Sequence, residues 1–171
     1  MTLTFEEALD QSQALLDALD NHGLTPEALQ TQVTQLAQSE NGARGFFVTY
    51  LTSDSPSSDR PSPELLCALA SAPEIVGELL VKNLAMSSAM AVFHRRQGDE
   101  SAAEVSLRVR RRTQGLLQAL ALPNMEAKLH QLQTSLQNGS GEYGDFLTRW
   151  GYDAEQKQAI QTALADLTPL S

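Results

Sequence analysis

Six of the chain's twelve basic residues, Arg95, Arg96, Arg108, Arg110, Arg111 and Arg112, fall within residues 95–112. A guanidinium is a planar fork of donors that grips a carboxylate or phosphate at two points, so a cluster of them could form an anion-binding or acid-binding surface. Arginine outnumbers lysine nine to three in the whole chain. With Asp99, Glu100 and Glu104 included, the window 95–112 carries +3 and the remainder carries −12. On a helix, positions 108, 111 and 112 share a face while 110 points elsewhere. Two readings follow. Arg95, Arg96, Arg108, Arg111 and Arg112 form a contact surface for an acidic partner or an anion. Alternatively they are a solvated face, neutralised by the protein's own carboxylates, with Glu104 and Arg108 one helical turn apart.

Seven of the nine aromatic residues lie in two short stretches, Phe46, Phe47 and Tyr50, then Tyr143, Phe146, Trp150 and Tyr152. Tyr143 and Trp150, the latter beside Arg149, are candidate contact residues, because aromatic and arginine side chains dominate interface hot spots. The competing reading is that both stretches fill the core. Gly139-Ser140-Gly141-Glu142-Tyr143-Gly144 spells G-x-G-x-x-G, but a phosphate cradle needs a strand before it and a helix N-terminus after it. Here a helical pattern, His130 to Leu136, precedes it, and Glu142 would repel a pyrophosphate; an interhelix loop is expected. Glu126 and His130 stand one turn apart, but no Glu-x-x-His or His-x-x-x-His occurs, so no metal site and no cofactor is expected. Cys67, within Leu65-Leu66-Cys67-Ala68-Leu69, reads as a small core residue, and a single cysteine allows no internal disulfide. Small residues from Ala85 to Ala91, interspersed with Met86 and Met90, either admit a close neighbour or leave room for a ligand near His94 and Arg95.

Helices must position these groups. Phe5, Ala8, Leu9, Leu15, Leu16 and Leu19 recur at three- and four-residue steps behind a Thr4/Glu7 capping box, with Gly23 as the stop. Thr25-Pro26-Glu27, Ser62-Pro63-Glu64 and Ala72-Pro73-Glu74 open further helices, the first running out at Asn41-Gly42. The helix from Pro73 is apolar on much of its circumference and is expected to be central. Asp99 caps the arginine-bearing helix, another follows Pro123, and Asp153 with Gln156 boxes the last one. Residues 45–51 favour a strand by composition, yet no second strand candidate exists, so a helix is expected there. Residues 52–61, rich in Ser and Pro, read as a polar, mobile loop.

The predicted fold is all-α: a single-domain bundle of seven or eight helices, antiparallel where loops are short. It comprises an N-terminal helical segment (1–51), the flexible loop (52–61) and a main bundle (62–171). The net charge of −9 sets the bulk of the chain against nucleic acid and anionic lipid. The best candidate for a membrane span, residues 75–93, is interrupted by Glu78, Lys82 and Asn83, and the first residues are acidic where a targeting signal is basic, so a cytoplasmic location is expected. No catalytic constellation stands out. The residues point to a non-enzymatic interaction module using the arginine face against an acidic protein surface or a second copy of the chain. The alternative is a small-molecule-binding protein or enzyme with an anionic-ligand pocket near residues 85–95. A nucleic-acid-binding regulator is the third reading.

Overall fold

The computed structural model describes residues 2–167, and every regular element among them is helical. In order these are α1 (Phe5–Asp20), α2 (Pro26–Ala37), α3 (Glu40–Thr52), a 3-10 turn (Pro56–Asp59), α4 (Pro63–Ala70), α5 (Pro73–Arg96), α6 (Glu100–Ala119), α7 (Met125–Asn138), α8 (Gly144–Trp150) and α9 (Ala154–Ala165). The described residues therefore form nine α-helices, where the sequence suggested seven or eight.

The start signals act through atoms. Thr4 and Glu7 exchange the two hydrogen bonds of a capping box at α1, and Asp153 and Gln156 do the same at α9. Thr25 and Ser62 accept from Ala28 N–H and Leu65 N–H, and Asp99 accepts from Ala102 N–H. The stops are less direct. α1 ends in a Schellman turn whose left-handed residue is His22, at φ +57°, and not Gly23; Gly23 N–H reaches Ala18 O instead. Asn41-Gly42 does not end α2. A Ser39 cap starts a new helix there, and Gly42 sits where an added Cβ would lie 2.2 Å from Leu36 O. Only glycine lets α3 begin so close to the end of α2.

The described chain gathers into two compact units, Met1–Leu79 with Ala119–Leu122, and Leu80–Gln118 with Pro123–Ser171. The boundary between these units falls inside α5, and residues 52–61, read from the sequence as a flexible loop within a single domain, belong to the first. The Ser/Pro segment stays with the first unit because it is tied to it: Ser55 and Ser57 hydroxyls both donate to Asp20 Oδ1 at the end of α1, and Ser55 and Ser58 are buried. α4, beyond it, packs on α2.

In the first unit α1 and α3 make the most extensive helix pair. They pass close together at Gly45, where an added Cβ would stand 2.5 Å from Ala8 Cβ. Residues 45–51 are helical within α3 and form the heart of this core. Phe46 stacks on Tyr50 at 5.2 Å and meets Phe47 edge-on at 5.5 Å, and all three rings are buried. In the second unit α7 packs on α8 and α9. Buried Gln156 donates to Ala89 O on α5 at 3.2 Å, and Gln114 on α6 donates to Ala163 O at 3.1 Å, so side-chain amides fix α9 against two neighbours.

α5 is long and apolar enough to cross a membrane by length and composition, longer than the interrupted run suggested, and more than half of its most apolar window is buried within the structure.

Candidate functional site

The arginines of α5 and α6 meet different fates. α6 turns its apolar stripe inward, burying Ala103, Thr113, Leu116 and Leu117. Positions 108 and 112 lie about 40° apart on a helical wheel, close to that stripe, and position 111 lies about 60° to the other side. Arg112 is accordingly buried, at 6 % exposure, and Arg108 is half-buried; both interact with other groups of the chain. Arg110 is half-buried with its Nε shut from solvent. Only Arg111 of this run is exposed, and it makes no ion pair or hydrogen bond among the described residues. The three-arginine face read from the sequence is thus divided by burial.

On α5, Arg96 is engaged internally. Its Nη1 and Nη2 grip Asp153 bidentately at 2.6 and 3.1 Å, and Nη2 lies 3.3 Å from Glu155 Oε1. The Arg96 guanidinium and the Gln156 backbone N–H hold the Asp153 carboxyl down at about 2, and the same pairing pushes Arg96 above its ordinary value. Arg95 is exposed, with no side-chain partner among the described residues.

That ion pair joins two stretches that expose aromatic rings. Phe93 precedes Arg96 by one helical turn and is 42 % exposed; Trp150 precedes Asp153 by three residues and is 52 % exposed. Gly151, at φ +64°, closes α8 by donating to Leu147 O and Thr148 O, a conformation that leaves Trp150 at the surface while Tyr152 turns inward. Burial pushes the Tyr152 phenol up to about 12. Tyr143 does not share the exposure of Trp150. It is buried at 4 %, its N–H donating to Ser135 Oγ, because it leads into α8 on the side that packs against α7. Of the two aromatic candidates only Trp150 offers a surface. The exposed candidates on this unit are therefore Phe93 and Trp150, each three residues from a member of the Arg96–Asp153 pair, together with Arg95 on α5 and Arg111 on α6.

The small-residue stretch of α5 is packed. Ala85, Ser88 and Ala89 are fully buried, Ser88 Oγ donates to Leu84 O, and the Gln156 side chain lies on Ala89. Cys67 is exposed, contrary to its reading as core: α4 buries Leu65, Ala68 and Leu69, and Cys67 faces away, accepting from Gln30 Nε2 at 3.4 Å. The G-x-G-x-x-G segment is an interhelix loop between α7 and α8. No group of three or more His, Cys, Asp or Glu side chains able to hold a metal occurs among the described residues.

Two features escaped the sequence. The partners of Arg96 stand 57 residues away or more, and no spacing rule links them. The other is a cleft of about 260 Å³ in the first unit, lined from α1, α2, α3, the 3-10 turn and α4. Its walls come from five separate segments, four that read alone as ordinary core helices and one that reads as a polar loop.

A family model described as uncharacterised conserved protein UCP020893 matches residues 4–167. No curated protein and no solved structure gives a significant match.

Proposed function

The chain belongs to that conserved family, and from its own geometry we propose that it is a cytoplasmic, non-enzymatic helical module that binds a protein bearing an acidic surface. The observation that carries the reading is the exposure of two large aromatic rings, Phe93 and Trp150, each three residues from a member of the Arg96–Asp153 ion pair, with exposed Arg95 on the same turn of α5 and exposed Arg149 next to Trp150. Large aromatics and arginine are the residue types that concentrate binding energy at protein interfaces. Of the residues read from the sequence, Arg95, Arg111 and Trp150 are exposed and are kept in the proposed surface, to which Phe93 is added.

The charge distribution supports an acidic partner. The second unit holds ten basic and nine acidic residues, +1, whereas the first holds two basic and twelve acidic, −10. A second copy of this chain presents such an acidic surface itself. The alternative of an anionic ligand near residues 85–95 has less support, because Ala85, Ser88 and Ala89 are buried and covered by Gln156.

The test uses Arg95→Glu with Arg111→Glu, and separately Trp150→Ala, all at exposed positions whose loss leaves stability within about 0.5 kcal/mol. Sedimentation of each chain and affinity capture from a cell extract are compared with wild type. Self-association or a captured acidic protein that is lost in both variants, with unchanged melting, supports the reading. Identical behaviour of the variants and wild type overturns it.

A further inference from the structure

We infer that the cleft of the first unit is a binding site for a small apolar carboxylate, independent of the surface on the second unit. Its buried lining, Leu15, Leu16, Leu29, Phe46, Tyr50 and Leu65, is apolar apart from the Tyr50 hydroxyl, so water inside it would find few partners to replace bulk solvent. A void of about 260 Å³ corresponds to roughly nine water volumes in the liquid. That is room for an alkyl chain or single ring with about ten non-hydrogen atoms.

The mouth is polar and specific in charge. It is made by Ser57, Arg60 and Ser62 beside Pro56 and Leu19. The first unit has only two basic residues in the whole of its length, Arg44 and Arg60. Arg44 lies over the Phe5 ring at 5.0 Å. Arg60 stands at the cleft, exposed, and its guanidinium has no ion pair among the described residues, although twelve carboxylates belong to the same unit. An unpaired guanidinium at the rim of an apolar cavity is complementary to a ligand with a hydrocarbon body and a carboxylate end. Ser62 caps α4 by accepting from Leu65 N–H, so its own O–H remains free to donate, and it stands at the positive end of that helix.

The rim is held in place. Asp20 Oδ1 accepts from both Ser55 and Ser57, and Arg60 N–H donates to Ser57 O, so the segment carrying the guanidinium is fixed to the end of α1. Asp20 itself is not part of the lining; its role is to anchor the turn that carries Arg60.

The probes are octanoate, octanol and octylammonium, titrated calorimetrically into the full chain at pH 7. Octanoate is expected to bind at least tenfold more tightly than either of the other two. Arg60→Gln, at an exposed position, should weaken octanoate at least tenfold while changing octanol little. Methyl resonances of Leu16, Leu29 and Leu65 should shift with octanoate saturation. Absence of octanoate binding, preference for octylammonium, equal affinity in Arg60→Gln, or shifts confined to the second unit would each overturn the assignment. Because the Trp150 and Arg95 variants leave this cleft untouched, their results and these fail or stand separately.

Discussion

Gly45→Ala adds one methyl group where α3 passes close to α1. The new Cβ would stand 2.5 Å from Ala8 Cβ, 2.9 Å from Ala8 carbonyl carbon and 3.0 Å from Leu9 N. None of these is the end of a flexible side chain, so no rotamer change relieves the overlap. Ordinary contact begins near 3.4 Å, and α1 must therefore back away from α3 by about an ångström. A gap of that size forfeits a quarter to a half of each dispersion contact along the seam. The seam carries Ser12, Leu15 and Leu16, all buried. Overpacking of this kind costs about 1–3 kcal/mol, and the better helix propensity of alanine offsets up to about 1 kcal/mol. The net loss is about 2 kcal/mol, which for a chain of this length lowers Tm by roughly 4–8 °C. Gly115→Ala is the control. That glycine lies within α6, exposed, with nothing inside 4 Å of an added Cβ, so the same substitution should raise Tm by about 2 °C through propensity alone. Thermal melts followed by circular dichroism at 222 nm read both. If Gly45→Ala melts at or above wild type, or moves with Gly115→Ala, the close α1–α3 approach is refuted.

Gln156→Glu separates the two roles of that amide. The carboxylate can still accept from Asp153 N–H, but it turns an oxygen toward Ala89 O, where the amide donated at 3.2 Å. The folded state then favours the protonated acid, so stability is retained below the unfolded carboxyl value of about 4.3 and lost as pH rises through it. The variant should melt near wild type at pH 4 and well below it at pH 7; an equal deficit at both would show that the Ala89 bond is unimportant. Tyr152 makes an alkaline prediction. Its phenol, raised by burial from 10 to about 12, keeps the fold's neutral form while the unfolded chain ionises, so stability is complete below pH 10 and falls as pH rises toward 12. Wild type should lose about 1.4 kcal/mol at pH 11 relative to Tyr152→Phe, measured as the difference between their urea midpoints at pH 9 and 11. Parallel curves would place the Tyr152 hydroxyl in water.

Helix starts were legible because they are local. A hydroxyl or carboxylate, a proline or an acid, and the first apolar residues sit within four positions, and the bonds they make at Thr4, Thr25, Ser62, Asp99 and Asp153 are between neighbours in the chain. Helix ends were harder, since two residues can satisfy the same turn. His22 takes the left-handed position that Gly23 could have held, and Gly42 serves a close approach to Leu36 rather than a stop. The helical state of 45–51 followed from the lack of a partner strand, although its composition pointed the other way. The candidate surface was legible in kind and not in place. Charge type and spacing identify arginines 108, 111 and 112, but which of them turns inward depends on where α6 meets the core. Buried Arg112 and exposed Arg111 are consecutive and about 100° apart around the helix, so the orientation of α6 against the core decides which is covered. Cys67 is the same problem on a shorter helix, one position out of phase with Leu65, Ala68 and Leu69.

Under the proposed function the uneven division of charge decides how a partner is received. A net −9 for the whole chain would ordinarily repel an acidic protein, and a screening length of about 8 Å at physiological salt means that such repulsion is set by whichever charges lie near the contact. Concentrating −10 on the first unit leaves the second at +1, so an acidic surface meets no net repulsion there. Internal pairing of Arg96 and burial of Arg112 do not oppose this role. A guanidinium already committed to Asp153 steers little, but it holds the base of α9 against the end of α5 and so fixes where Phe93 and Trp150 emerge. Positive charge then works in two ways on this unit: the engaged arginine sets the shape of the contact, and exposed arginines such as Arg95 and Arg111 supply attraction.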